Sequence, residues 1–85
     1  MTLDEKFNAA KEKVHHLPKK PSNEVLLNLY SLNKQATVGE VNVEAPKMFD
    51  FIGAAKYNAW KSRAGMSKEE AMSQYIALVE KLIEA

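Results

Sequence analysis

The stretch SKEEAMSQYIALVEKLIEA, residues 67–85, carries the strongest helical signal in the chain. Ser67 is followed three residues later by Glu70, a spacing that predicts a capping box at the start of a helix. Two parallel apolar stripes follow: Ala71, Tyr75, Leu78 and Leu82, and beside them Met72, Ile76, Val79 and Ile83. A face this wide predicts a helix that packs against two neighbours, as in a bundle core.

Two helical segments precede it near the N-terminus. The first begins with a second capping box, at Thr2 and Glu5, and its apolar residues recur at steps of three and four until Pro18. The second follows a cap at Ser22 or Asn23 and ends where Gly39 can adopt a left-handed conformation.

A third segment, roughly residues 51–63, places Phe51, Ala55 and Ala59 on one helical face and is followed by Gly65. Between it and the second segment, residues 39–50 have no helical period. They predict a long loop, because a short strand at Val41 and Val43 would lack a partner. With no internal repeat or long linker, the pattern predicts one all-α domain over residues 1–85.

Composition excludes several classes of function. The 85 residues contain no cysteine, which rules out disulfides and thiolate chemistry, and 12 basic against 11 acidic residues argue against a general polyanion or nucleic-acid binder. No apolar run approaches the roughly 20 residues of a membrane span. The N-terminal segment MTLDEKFNAAKEK has acidic residues early and does not resemble a secretory signal. We therefore expect a cytoplasmic protein.

Catalytic and metal-binding patterns are absent from the sequence. His15 and His16 are adjacent and would point about 100° apart on a helix, so they do not form a metal-binding pair. The acidic pairs Asp4–Glu5 and Glu69–Glu70 lie in first helical turns, where the helix dipole favours them. No Gly-rich phosphate loop or nucleophile–base arrangement is present. The sequence predicts a protein that is not an enzyme and holds no metal or cofactor.

One polar cluster interrupts the second predicted helix. In YSLNKQATVG, residues 30–39, Tyr30, Asn33 and Lys34 are spaced i, i+3 and i+4 and therefore share one helical face. A helix that only packed against its neighbours would not need these side chains. The alternative for each tyrosine is a core ring whose hydroxyl is satisfied at the edge of the core.

This stretch also resembles a known family. LYSLNKQATVG is similar to the L-Y-x-x-Y-K-Q-A-T-V-G-D segment of the acyl-CoA-binding proteins. Three further segments resemble that family over nearly the whole chain: HLPKKPSNEVLLNLY its entry into the second helix, AAKYNAW its K-A-K-W-x-A-W segment, and AMSQYIALVEKLIEA its last helix.

The resemblance implies an up-down-down-up four-helix bundle that binds one long-chain fatty acyl-CoA and carries it without chemistry. By position, it assigns ligand contacts to Tyr30, Lys34, Lys56 and Tyr75. It treats the run from Tyr30 to Lys34 as ligand-facing, so that Ser31 and Leu32 flank the site, and it places His15 and Ile52 where other members have lysines near the ligand. An adenine ring favours a flat aromatic or cationic partner, and phosphates favour ammonium groups.

The chain departs from the family pattern at several of these positions. Asn33 replaces the second tyrosine, Ile52 and Ala54 lie where relatives commonly have lysines, and His15 likewise takes the place of a lysine. These changes predict weaker binding of the nucleotide head group. They also keep an alternative open, a helical protein-interaction module with a degraded acyl-CoA site. We expect a monomer with no nucleic-acid partner and no stable membrane insertion, compatible with transient contact with a membrane or an enzyme.

Overall fold

The computed structural model describes residues 1–84, so Ala85, the last residue of the predicted domain, lies outside the described part. Four helices make up the regular structure: α1 at Leu3–Val14, α2 at Asn23–Thr37, α3 at Phe51–Lys61 and α4 at Lys68–Glu84. The all-α prediction is confirmed, and residues 39–50 contain no strand.

Side-chain caps fix where the helices begin. The Thr2–Glu5 capping box forms in full: the Glu5 N–H donates to Thr2 Oγ1 at 3.2 Å, and the Thr2 N–H donates to Glu5 Oε1 at 2.9 Å. Ser22, one of the two predicted caps, accepts from the Val25 N–H at 3.2 Å. These contacts satisfy N–H groups that have no partner within their own helix.

Two predicted helix boundaries, the start of α4 and the end of α3, differ in detail from the structure. At the start of α4, Ser67 Oγ accepts from the Glu70 N–H at 3.0 Å, but the Glu70 carboxylate accepts from the Gln74 amide, at 3.0 Å, and so only half of the capping box forms. Helix α3 ends at Lys61, two residues earlier than expected, because the chain turns at Ser62 and Arg63. The sequence offered no proline or glycine at that point.

The helix directions are those of an up-down-down-up bundle. Helix α4 packs against both α1 and α2, as its wide apolar face predicted, whereas α3 packs against α2 alone. Parallel α2 and α3 explain the long loop, since the chain must return along α2, about 22 Å at about 1.5 Å per residue, before α3 can begin. None of the four helices is long and apolar enough to cross a membrane.

The start of the returning loop is held by hydrogen bonds. Gly39 has a positive φ of 96°, the left-handed conformation predicted for it. Its carbonyl accepts from Trp60 Nε1 at 2.8 Å, which ties the C-terminal end of α2 to α3. The Glu40 carboxylate accepts from the Gln35 amide at 3.3 Å and from the Gly65 N–H at 2.8 Å.

The core lies between α1, α2 and α4. Its buried apolar residues are Phe7, Ala10, Leu29, Leu32, Ala36, Ala71, Tyr75 and Val79. Ile83, expected on a core stripe of α4, is 44% exposed because it lies in the last turn, beyond the bulk of the packing. Helix α3 contributes little to this core, and its first turn is open to solvent, with Phe51 75% exposed.

Candidate functional site

Tyr30 lies at the centre of a cationic cluster formed by α2 and α3. Lys34 Nζ is 5.9 Å from the centroid of the Tyr30 ring, and Lys56 Nζ is 5.3 Å from it. Lys34 Nζ also lies 5.7 Å from the Trp60 ring. The spacing of Tyr30 and Lys34 on one helix, and the parallel packing of α3, bring the two ammonium groups to the same aromatic ring.

This cluster has a positive charge that is not neutralised by a carboxylate. Within residues 1–84, the one ion pair at 4.0 Å or less joins Glu12 and His16, which lie near the end of α1. Both lysines of the cluster therefore carry free ammonium groups, and an anion with several oxygens could contact both.

An apolar pocket of about 420 Å³ adjoins the cluster. The N-terminal halves of the parallel helices α2 and α3 form its lining: Asn23, Leu26, Leu27, Tyr30, Phe51, Ile52, Ala55 and Lys56. The volume falls within the range of about 300–1,000 Å³ typical of small-molecule sites. The pocket is mostly hydrocarbon, with polar groups at Asn23, Tyr30 and Lys56 only, so it suits an apolar chain attached to a charged group.

The pocket exists because α3 has only one helical neighbour. Asp50 caps α3 through a bond from the Gly53 N–H to Oδ1 at 2.9 Å, which fixes the start of the helix beside the first turns of α2. No other helix covers that edge, so Phe51 and Ile52, each 75% exposed, form a wall with solvent on its outer side.

Asn33 places an unsatisfied acceptor next to this region. Its Oδ1 atom is buried and has no hydrogen-bond partner among the described residues. A buried unpaired acceptor costs about 1–3 kcal/mol. The amide of Asn33 also cannot stack on a base as a tyrosine ring does.

Tyr75, a predicted ligand contact, is a core residue in this structure. It is 5% exposed, and its ring meets the Phe7 ring edge-on, with centroids 5.1 Å apart and planes at 72°. Burial raises the pKa of the Tyr75 hydroxyl above its ordinary value, so the group is a neutral phenol at physiological pH. Tyr75 does not line the pocket between α2 and α3.

Ser31 and Leu32 are not brought to the pocket. Ser31 is fully buried; its Oγ donates to the Asn28 carbonyl at 3.0 Å and accepts from Arg63 Nε at 3.1 Å. Leu32 is part of the core that α2 shares with α4. Each helical residue turns the side-chain direction by about 100°, so five successive residues cannot all face one ligand.

Of the remaining residues predicted to contact the ligand, some line the pocket and one does not. Ile52 and Lys56 line the pocket, but His15 lies at the end of α1, exposed and away from that lining. The site also includes residues that were not assigned to a ligand from the sequence: Leu26, Leu27, Phe51 and Ala55. Leu26 shares a helical face with Tyr30, and that spacing was the signal that could have identified it.

A second, more polar hollow of about 490 Å³ lies between α1, α2 and α4. Lys11 Nζ is 4.7 Å from the centroid of the Phe7 ring there, and Lys68 is a second cation on its wall. This hollow is larger than the pocket between α2 and α3, but its lining is less apolar. Neither Tyr30 nor Lys34 lines it. No group of three potential metal ligands occurs among residues 1–84.

Comparison with known proteins gives consistent results. Residues 4–79 match the family model described as Acyl CoA binding protein. The acyl-CoA-binding protein of Gossypium hirsutum is 52% identical over 85 residues, covering 100% of this chain and 96% of the relative. The acyl-CoA-binding protein homolog of Drosophila melanogaster is 46% identical over 81 residues, covering 95% and 94% respectively.

Solved structures show the same similarity in three dimensions. The crystal structure of acyl-CoA-binding protein 2 from Oryza sativa superimposes with a TM-score of 0.93 at 47% identity, covering 98% of this chain and 92% of that one. The crystal structure of the acyl-CoA-binding protein from Moniliophthora perniciosa gives a TM-score of 0.90 at 42% identity, covering 99% of this chain and 82% of that one. The bundle topology implied by the sequence resemblance is therefore confirmed.

Proposed function

This chain belongs to the acyl-CoA-binding protein family, and from that membership and the site geometry we propose that it binds medium- to long-chain fatty acyl-CoA thioesters non-covalently. The observation that carries the proposal is the junction of two surfaces: an apolar pocket between α2 and α3, and a tyrosine flanked by two lysines at its edge. The acyl chain occupies the pocket, and the phosphates of the coenzyme approach Lys34 and Lys56.

The two parts of the ligand contribute differently to binding. Burying one methylene is worth about 0.8 kcal/mol, so ten buried carbons give on the order of 8 kcal/mol before the costs of association. An exposed lysine–phosphate pair gives roughly 0.2–1 kcal/mol and weakens with salt. Chain burial therefore sets most of the affinity, and the head group distinguishes a CoA thioester from a free fatty acid.

Head-group binding is weaker than in relatives that keep the full set of aromatic and basic residues. Asn33 lacks a ring that could stack on adenine, Ile52 supplies a wall of the pocket but no charge, and His15 lies away from the cluster. Tyr75 contributes its hydroxyl at the edge of the core if the nucleotide reaches α4. Ser31 and Leu32 support the site indirectly, as buried packing residues of α2.

The proposed biological role is that of a carrier. The protein maintains an intracellular pool of acyl-CoA in lipid metabolism, acts as a cytoplasmic monomer formed by one domain over residues 1–85, and does not alter its ligand. We propose no catalytic role, in keeping with the description of the family as a binding protein, and the two lysines and the tyrosine of the site then serve to hold anions. The alternative, a protein-interaction module with a degraded site, rests on the departures at Asn33 and Ile52.

Titration calorimetry tests the proposal. Hexadecanoyl-CoA, coenzyme A and hexadecanoate are titrated separately into the purified protein. We expect one-to-one binding of the thioester, much weaker binding of coenzyme A, and weaker binding of the free acid. Native mass spectrometry of the purified protein, with detection of co-purifying acyl-CoA, separates the two functions. Absence of thioester binding in both measurements would support the interaction module and overturn the carrier.

A further inference from the structure

Four large apolar side chains project into solvent where the returning loop meets α3. We call this surface the apolar tip: Met48, Phe49, Phe51 and Ile52, which are 83%, 81%, 75% and 75% exposed. Asp50, the one polar residue within the run, is engaged in capping α3 through the Gly53 N–H. A folded chain rarely exposes so much adjoining apolar surface unless that surface contacts something.

The apolar tip continues one wall of the acyl pocket outward. Phe51 and Ile52 line the pocket, whereas Met48 and Phe49 do not and extend beyond its mouth. Asn23, in the first turn of α2, lines the same pocket, so the connection that enters α2 lies at this end of the molecule. A chain leaving the pocket along this wall would therefore stay on hydrocarbon.

Basic residues lie next to the tip in the sequence or at the same end of the molecule. Lys47 precedes it directly, and Lys19 and Lys20 lie in the connection leading into α2, all three exposed. None of these lysines forms an ion pair at 4.0 Å or less within residues 1–84. Glu24, Glu44 and Asp50 also lie at this end and equal the three lysines in number, so these charges cancel overall and lysine–phosphate contacts act only locally beside apolar insertion.

We propose that the apolar tip inserts into the surface of a bilayer containing anionic phospholipid, which places the mouth of the pocket against the membrane. Each side chain stands three-quarters or more exposed, so the tip is a set of projections that suits a fluid hydrocarbon layer. Free lysines at its rim suit phosphate head groups. The inference rests on the proposed function in one respect, that the pocket takes the acyl chain, because it gives the chain a route that avoids water.

Vesicle flotation tests this proposal with the full-length protein. The vesicles contain either phosphatidylcholine alone or phosphatidylcholine with phosphatidylserine. We expect the protein to float with the anionic vesicles, less with the zwitterionic ones, and less at high salt. Met48→Ser/Phe49→Ser should reduce partitioning into anionic vesicles roughly tenfold or more, and Phe49→Ser should have an intermediate effect.

Val38→Ser is the matched control, because Val38 is exposed at the other end of α2 and lines none of the pockets described above. It should partition like the original protein. Equal partitioning of the double variant, or an equal loss in Val38→Ser, would overturn the proposal, as would absence of any vesicle binding. Self-association of the original protein that the double variant abolishes would assign the tip to a second copy and also overturn it.

Acyl-CoA titration without vesicles keeps this test separate from the proposed function. The double variant changes residues outside the pocket lining and should bind hexadecanoyl-CoA like the original protein. If that binding is intact while flotation fails, the membrane proposal alone is wrong. If neither protein binds the thioester, the proposed function fails, and flotation still reports on the tip.

Discussion

At the scale of single residues, the proposed site assigns the anionic part of the ligand to the two lysines beside Tyr30. Lys34 and Lys56 approach the same ring from different helices, and neither is held by a carboxylate within residues 1–84. Their positions are therefore set by backbone geometry and by the aromatic faces of Tyr30 and Trp60, which leaves their charges available to phosphate.

Removing either ammonium group should weaken binding without unfolding the protein. We expect Lys34→Ala and Lys56→Ala each to lower the affinity for hexadecanoyl-CoA by about 0.2–1 kcal/mol at moderate salt. Their free energy of unfolding should stay within about 0.5 kcal/mol of the original value. Calorimetry and thermal unfolding measure the two effects. Lys61→Ala, at an exposed position of α3 outside the pocket, is the control; an equal loss there would indicate a general charge effect.

Asn33 offers a gain-of-function test. Asn33→Tyr restores a ring at the position and removes an acceptor that is buried without a partner. Close stacking on a base is worth about 1–3 kcal/mol, so affinity for the coenzyme should rise by an amount in that range. Asn33→Leu is the control, since it removes the acceptor without providing a ring and should give no comparable gain. Unchanged affinity in the tyrosine variant would contradict the explanation of weak head-group binding.

The contribution of Tyr75 to ligand binding can be tested by removing its hydroxyl group. Tyr75→Phe keeps the edge-on contact with Phe7 and removes only the hydroxyl. If that hydroxyl meets the ligand, affinity should fall by about 0.5–1.5 kcal/mol, the net worth of one hydrogen bond, while thermal stability stays nearly constant. Calorimetry on both proteins measures the difference. Equal affinities would make Tyr75 a core residue with no part in binding.

At the scale of the elements, helix ends were easier to predict than helix faces. Caps at Thr2, Ser22 and Gly39 act through neighbours three to five residues away, so the local sequence contains the whole signal. Whether a helical face is buried depends on what packs against it, and the local sequence does not contain that information. The apolar period of residues 51–63 identified a face containing Phe51, but the period is the same whether a helix, a ligand or solvent lies opposite.

The candidate site could be predicted in part for the same reason. Tyr30, Lys34, Ile52 and Lys56 were assigned to the ligand, and the structure places all four together between α2 and α3. Ser31 and Leu32 were carried along from a continuous family segment, and the helical period would have excluded them. The burial of Tyr75 agrees with its place on the apolar stripe of α4, whereas its assignment to the ligand came from the family resemblance.

The capping box of α1 gives a pH-dependent prediction. The bond from the Thr2 backbone N–H, and then the Thr2 hydroxyl, lower the pKa of Glu5 below its ordinary value. A carboxyl whose pKa is lower in the folded state stabilises the fold above its unfolded pKa, and this contribution disappears as pH falls through the folded pKa. NMR titration of the Glu5 side chain should show the depressed midpoint.

Thr2→Pro provides the control for that titration, because proline lacks the N–H donor and the hydroxyl but fits the extended backbone at residue 2, where φ is −73°. In this variant the Glu5 midpoint should return toward the ordinary value for glutamate. The same midpoint in both proteins would show that the capping box does not form in solution.

At the scale of the whole molecule, the bundle is too thin to enclose its ligand. The Cα positions extend over 39 × 27 × 15 Å, so the shortest dimension leaves no interior space beyond the packed core. In the proposed complex, a fatty acyl-CoA lies in a surface groove, with its chain between α2 and α3 and its head group over the Tyr30 cluster. Part of the coenzyme then covers the chain on the side that no helix covers.

A crystal structure of the complex with hexadecanoyl-CoA tests this arrangement most directly. The account predicts acyl carbons in contact with Leu26, Leu27 and Ile52, and phosphate oxygens within hydrogen-bond distance of the Lys34 and Lys56 ammonium groups. An acyl chain bound instead in the hollow between α1, α2 and α4, or phosphates that leave both of these lysines in solvent, would contradict it.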